Sequence, residues 1–285
     1  MFSYWKIIRP NNLLLTVLTQ FLFYLAASRS SENAWVINLD NFRFPESITA
    51  TLACLFIAAG GYVINDIFDK HTDSINKPHK QIAHVEKSDK QLYPYYLFLT
   101  AIGLIMGFLT GLGMGILCVA IGVLLYFYSS DFKGEFIMGN LLVSLLAGMV
   151  VYIASRGVYE VQKGMFAEFA SIAFFITFGR ELIKDIQDEK GDKAQGYQTF
   201  AVTQGQTKTK VAAGIMITIA AALTIWVGIQ SQNVLFWIFS GVITIPAMAY
   251  ILYKIRLSKE ICHFAEISKW LKITMFVGLL SCLLT

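Results

Sequence analysis

Asn65-Asp66-x-x-Asp69-x-x-x-Asp73 is echoed far along the chain by Asp185-x-x-Asp188-x-x-x-Asp192, the same acidic spacing used twice. In each copy the carboxylates fall at i, i+3 and i+7, which is one face of a helix, and each set begins where a long apolar run ends. Such a face is unfavourable alone. Like charges three and four residues apart repel by about 0.2–0.5 kcal/mol per pair, and an anion at a helix C-terminus costs roughly 0.3–1 kcal/mol. A divalent cation relieves both penalties. Mg2+ takes oxygen ligands, binds one or two carboxylates, and completes its shell with water and phosphate oxygens. Two acidic faces turned toward each other therefore suit a metal-bridged diphosphate.

The surrounding chain is that of a membrane protein. Of its 285 residues 56% are hydrophobic and only 15% charged, with a mean hydropathy of +0.58, whereas soluble domains carry about 25% charge. A spanning helix needs about 20 mostly apolar residues. Runs of that kind occur at 11–28, 47–65, 92–111, 113–129, 136–154, 165–183, 210–229, 233–253 and 267–284. The expected fold is an all-α membrane protein, a single domain over 1–285, with about nine transmembrane helices bundled around a central lipid-accessible chamber. Lys6 and Arg9 ahead of an apolar run resemble a secretory leader, but the further spans favour a retained first helix. Cys54, Cys118, Cys262 and Cys282 are dispersed, with no Cys-x-x-Cys pair, and read as small hydrophobes. Glycines such as Gly103 and Gly107 read as close-packing positions between helices.

Charge is distributed unevenly. With alternating spans, every Lys and Arg except Arg29, Arg43, Arg156 and Lys163 falls on the side of the N-terminus. The positive-inside rule makes that side cytoplasmic, and both acidic motifs lie on it. Stretches 66–91 and 184–209 are long and polar, and read as cytoplasmic loops capping the bundle. Around the acids stand Asn76, Lys77, Pro78 and Lys80, then Tyr128 to Lys133, then Arg180, Glu181 and Lys184. Cationic side chains there would hold diphosphate oxygens that metal leaves uncovered, with Lys133 and Lys184 the foremost candidates. His71 faces away from the acids by helical spacing and reads as a surface residue.

These motifs carry a family resemblance. Asn65 to Asp73 followed by Asn76-Lys77-Pro78, and Arg180-Glu181-x-x-Lys184-Asp185-Ile186-x-Asp188-x-x-Gly191-Asp192, resemble the two aspartate-rich signatures of the UbiA superfamily of intramembrane prenyltransferases. Arg9-Pro10 with Asn12, Tyr128 to Lys133, and Gly139-Asn140 add to the match, which spans nearly the whole chain. The resemblance implies Mg2+-dependent transfer of an isoprenyl group from a polyprenyl diphosphate to a lipophilic or lipid-phosphate acceptor, through a carbocation-like transition state. It implies metal ligation by Asn65, Asp66, Asp69, Asp73, Asp185, Asp188 and Asp192, of which Asp66, Asp69, Asp185 and Asp188 are central to catalysis. It implies diphosphate contacts from Asn12, Lys77, Lys80, Tyr128, Lys133 and Lys184. Expected partners are an isoprenyl diphosphate, a hydrophobic acceptor and membrane lipid, with no nucleic acid. The form of the second motif resembles most the geranylgeranylglycerol-phosphate geranylgeranyltransferase-like branch.

The physical requirements agree with the residues. Loss of diphosphate leaves an anion for metal and lysine to stabilise, and a carbocation needs dry walls, which 22 Phe and 13 Tyr can supply. The family usually has Arg-Pro and Ser-Gly after the first motif, where this chain has Lys80-Gln81 and Ala83-His84. After the second it has Thr-Leu-Pro, and this chain has Thr199-Phe200-Ala201. Two other readings remain: an aromatic quinone-precursor acceptor, and, from a different class, a cation-coupled transporter, whose carboxylates belong near mid-span.

Overall fold

A computed structural model describes residues 2–28, 42–70, 88–159 and 163–285. His71, Asp73, Asn76, Lys77 and Lys80 lie outside the described residues. Within them the chain is helical, with no strand and a single isolated bridge between Phe42 and Val158.

A short α1 (Phe2–Ile7) precedes α2 (Pro10–Ala27), which Pro10 opens at a position where a missing N–H is harmless. Next come α3 (Phe44–Phe68) and α4 (Asp89–Thr110), the latter started by a reciprocal Ser88/Gln91 capping box. A one-residue turn at Gly111 (φ 147) leads into α5 (Leu112–Ser130), and that backbone conformation requires glycine. Then follow α6 (Met138–Ile153), α7 (Lys163–Ala194), α8 (Phe200–Ser231), α9 (Val234–Leu257) and α10 (Ile261–Leu280). Every expected span falls on one of the helices α2 to α10. Seven of them are long and apolar enough to cross a membrane among the described residues. Asn11, Asn12 and Gln20 dilute α2, and the charged last third of α7 dilutes that helix, but both pack inside the same bundle.

The second expected cap is not a loop. Residues 184–194 continue α7, and only 195–199 separate it from α8. Polarity there marks the emergence of the chain from the apolar layer, not the end of the helix: Lys193 donates to Glu189 one turn back (2.5 Å), a pair that supports an exposed helix. At Gly205 (φ 77) the first turn of α8 bends away from the rest.

Four apolar clusters hold the bundle. One joins α7 to α10 around Leu182, Ile217, Met248 and Phe264, and another joins α2, α6, α7 and the chain end around Phe23 and Phe166. A third links α1 to α4 around Ile7, Val63 and Leu92, and the fourth links α3, α5 and α6 around Ile57 and Cys118. Gly103 meets α3 so closely that a Cβ would sit 2.9 Å from the Ile57 backbone nitrogen, which is the packing use of glycine that membrane helices favour. Large apolar side chains such as Leu97, Phe98, Ile105 and Leu109 remain exposed on α4, as a lipid-facing surface requires. Inside, α2, α3 and α6 are joined by Gln20, which is fully buried. Its amide donates to Val150 O and Cys54 Sγ (3.2 Å each) and accepts from Tyr24 (3.0 Å) and Thr51 (2.9 Å).

Candidate active site

The first acidic set closes α3, where Asn65, Asp66 and Asp69 are buried. Asn65 Nδ2 donates to Asp69 Oδ2 at 2.6 Å, one turn apart on the helix. Arg9 donates to Asp66 Oδ1 at 2.6 Å, and its guanidinium lies 5.0 Å from the centre of the Tyr62 ring. Arg9 reaches there from a left-handed backbone conformation (φ 52, ψ 64) at the cap of α2, unusual for a side chain this long. Lys133 pairs with Asp69 Oδ2 from a 3-10 turn at Phe132–Gly134.

The second set lies on α7 beyond its apolar part. Tyr128, Lys133, Gly139, Asn140, Glu181, Lys184, Asp185, Asp188, Asp192, Tyr197 and Thr199 line one cavity. Asn140, in the first turn of α6, donates to Asp185 Oδ2 at 2.7 Å, and Thr199 donates to Asp192 Oδ2 at 3.2 Å. Glu181 accepts from Arg180 (2.9 Å) and Lys184 (2.6 Å).

Lys133 joins the two sets. It holds Asp69 while lining the cavity of Asp185, Asp188 and Asp192, and Tyr128 beside it is close enough to Asp69 and Asp185 to feel both charges. Lys133 therefore links the first acidic set to the cavity of the second. Local packing places the lysine: a Cβ on Gly139 would sit 3.3 Å from the Lys133 Cα, and one on Gly134 would strike the Tyr197 ring at 2.5 Å. The Gln198 amide donates to Gly134 O at 2.7 Å, so the turn carrying Lys133 is tied to the segment after Asp192.

Asp185 and Asp192 suffer from this proximity. Burial, opposed by the bond from Asn140 and reinforced by Glu181 and Asp192, pushes Asp185 up to about 7, and burial with Asp188 beside it pushes Asp192 up to about 6. A set of hard carboxylate oxygens whose ionised form lacks enough positive charge suits Mg2+.

The expected residues thus separate into three groups. Tyr128, Lys133, Lys184, Asp185, Asp188 and Asp192 line the cavity, and Asp69 reaches it through Lys133, with Asn65 bonded to Asp69 and Asp66 on the same helix end. Asn12 lies to one side, hydrogen-bonded to Tyr62 and accepting from Lys272 at 3.3 Å. Asp73, Lys77 and Lys80 fall outside the described residues. Arg9, Asn140, Glu181 and Lys272 were not assigned roles from sequence. Glu181 was legible, since it sits one turn before Asp185 on the same face.

A family model for the UbiA prenyltransferase family matches residues 13–271. The chain belongs to that family. Relatives include a digeranylgeranylglyceryl phosphate synthase of Methanosphaera stadtmanae, 31% identical over 98% of this chain and 97% of the relative. That of Methanothermobacter thermautotrophicus is 31% identical over 76% of this chain and 72% of its own. Among solved structures, a digeranylgeranylglyceryl phosphate synthase superposes with a TM-score of 0.77 at 23% identity, covering 99% of this chain and 96% of that one. A UbiA homolog from Archaeoglobus fulgidus bound to GPP and Mg2+ gives 0.70 at 17% identity, covering 97% and 98%. The protein is an integral membrane prenyltransferase. Acids gathered where helices leave the apolar layer are out of place for the transporter reading, which needs them at mid-span.

Proposed function

We propose that this prenyltransferase moves an isoprenyl chain from its diphosphate, held through Mg2+, to a hydroxyl of a lipid-phosphate acceptor. The observation that carries the reading is Lys133 standing between two acidic faces, a cation where leaving-group charge would collect. Support for the acceptor comes from relatives named digeranylgeranylglyceryl phosphate synthase that align over most of both chains.

Asp66, Asp69, Asp185, Asp188 and Asp192 would hold the metal, with Asn65 setting Asp69 and Asn140 setting Asp185. Bound Mg2+ supplies charge for the departing diphosphate. Lys133 and Lys184 each sit within reach of that diphosphate while balanced by a carboxylate, so their ammonium groups can transfer to phosphate oxygens without a large rearrangement. Arg9 keeps Asp66 oriented. Below the acids, Phe174, Phe175 and Phe178 pack edge to face or tilted on α7, apolar bulk that would keep water from an allylic cation. The acceptor hydroxyl oxygen forms the new C–O bond at the allylic carbon whose bond to the diphosphate has broken, and its proton passes to the released diphosphate.

The arrangement of basic residues supports a cytoplasmic active site in a cell's inner membrane, which labelling of exposed Cys262 from either side would test. The deciding assay is purified protein with Mg2+, radiolabelled geranylgeranyl diphosphate, and either a prenylglyceryl phosphate or an aromatic acceptor. Labelled ether lipid that vanishes with EDTA is expected. Product with the aromatic acceptor alone overturns the reading.

A further inference from the structure

Lys272 is an exposed cation on α10, near the start of the apolar run that begins at 267. Its Nζ donates to Asn12 Oδ1 at 3.3 Å, a neutral amide oxygen, and among the described residues no carboxylate pairs with it. Arg9, Lys133, Arg180 and Lys184 differ, because each rests on a carboxylate. An ammonium has three donors, so Lys272 retains donors and uncompensated charge.

Its place is specific. Asn12 is hydrogen-bonded to Tyr62, which lies one turn before Asp66 on α3, about 6 Å farther into the bundle at 1.5 Å per residue. The Tyr62 ring lies beneath Arg9, the partner of Asp66. On the other flank Arg180 Nε donates to the carbonyl of Ser268 at 3.3 Å, one turn before Lys272, which fixes α10 against the helix carrying Asp185. Lys272, Asn12 and Tyr62 therefore form a polar chain that leads to the end of α3 carrying the first acidic set.

We propose that Lys272, positioned by Asn12, binds the phosphate of the acceptor lipid and thereby places its hydroxyl beside the allylic carbon. The inference rests on the function proposed above and extends it to the residue that selects a phosphorylated acceptor. An anionic head brought near five aspartates needs a cation that those acids do not already engage, and a lysine offers phosphate a movable point charge.

The test is steady-state kinetics in proteoliposomes with Mg2+, an isoprenyl diphosphate, and two acceptors: a prenylglyceryl phosphate and the same lipid with a free glycerol head. With Lys272→Met, KM for the phosphorylated acceptor rises at least tenfold, donor KM changes by less than twofold, and the preference for the phosphorylated acceptor falls by the same factor. Lys272→Arg restores most of that preference. If Lys272→Met does not fold, Asn12→Asp, which neutralises the lysine in place, gives the same split. A rise in donor KM, equal effects on both acceptors, or no effect overturns the proposal. Failure of the underlying reading shows separately, as wild-type protein that uses no lipid phosphate at all.

Discussion

Replacing Asn140 by alanine removes a side-chain donor to the Asp185 carboxylate, the one found among the described residues, at 2.7 Å, without touching an acid. A hydrogen bond to a charged group is worth roughly 1.5–3 kcal/mol. At 1.36 kcal/mol per tenfold, the Mg2+ concentration giving half-maximal activity rises by roughly 10- to 100-fold, in line with the usual effect of losing a group that orients a ligand. The pH dependence moves as well. Asp185 is held up to about 7 by burial, and Asn140 opposes that rise. Without it the carboxyl keeps its proton to a still higher pH, by roughly one to two units on the same energies. Since a protonated carboxyl must lose its proton to bind metal, wild-type Mg2+ affinity weakens as pH falls through about 7, and the variant weakens earlier on the descent. Titration of diphosphate release with Mg2+ at pH 6.5 and 8.5 measures both effects. Identical Mg2+ midpoints and identical pH profiles for variant and wild type would refute the reasoning.

Asp69→Asn and Asp188→Asn each remove charge from a different acidic face, and each is expected to lower turnover by about 100-fold or more, the usual loss when one charge-stabilising group goes; single-turnover assays at saturating Mg2+ check this. In EDTA, Asp185→Asn is expected to be more thermostable than wild type above pH 7, with the difference shrinking toward pH 5. The sign follows because an Asp raised from 3.8 to about 7 keeps its proton in the native state, so stability is lost as pH rises across that range. Gly134→Ala drives a Cβ into the Tyr197 ring, so the turn must shift, at about 1–3 kcal/mol, and donor KM rises as Lys133 moves. Gln20→Leu breaks bonds among α2, α3 and α6 and should destabilise the bundle by about 1–2 kcal/mol, at roughly 0.6 kcal/mol per interhelical bond, read from unfolding in mixed micelles.

The helices were legible because burial in lipid leaves a coarse signal: long apolar runs, each interrupted by polar residues, and each now lying on one of α2 to α10. The acidic faces were legible for a similar reason, since helical periodicity turns a spacing into a direction. The boundary after Asp185 was not. Composition reports where a chain leaves the apolar layer, while helix continuation depends on local pairs such as Glu189 with Lys193, so residues 184–194 read as loop and fold as helix.

Residues whose meaning depends on a distant partner were the least legible. Lys133 looks like an ordinary cation at a membrane boundary, and nothing in its own neighbourhood points to Asp69, 64 residues earlier. Its position follows from Gly134 and Gly139, which let the turn sit against Tyr197 and the start of α6, and those glycines alone resemble many others in the chain. Lys272 and Asn12 are 260 residues apart and meet only because the last helix packs back against the first long one. Motif spacing can therefore identify the metal-facing acids, which act as members of one helix face. It marks Lys133 and Lys184 as cations near the acids but not the partners that fix Lys133 and Lys272, because those contacts join distant parts of the chain. For that reason substitutions at Lys133 and Lys272 are expected to separate the donor and acceptor steps, whereas substitutions at the aspartates are expected to weaken both.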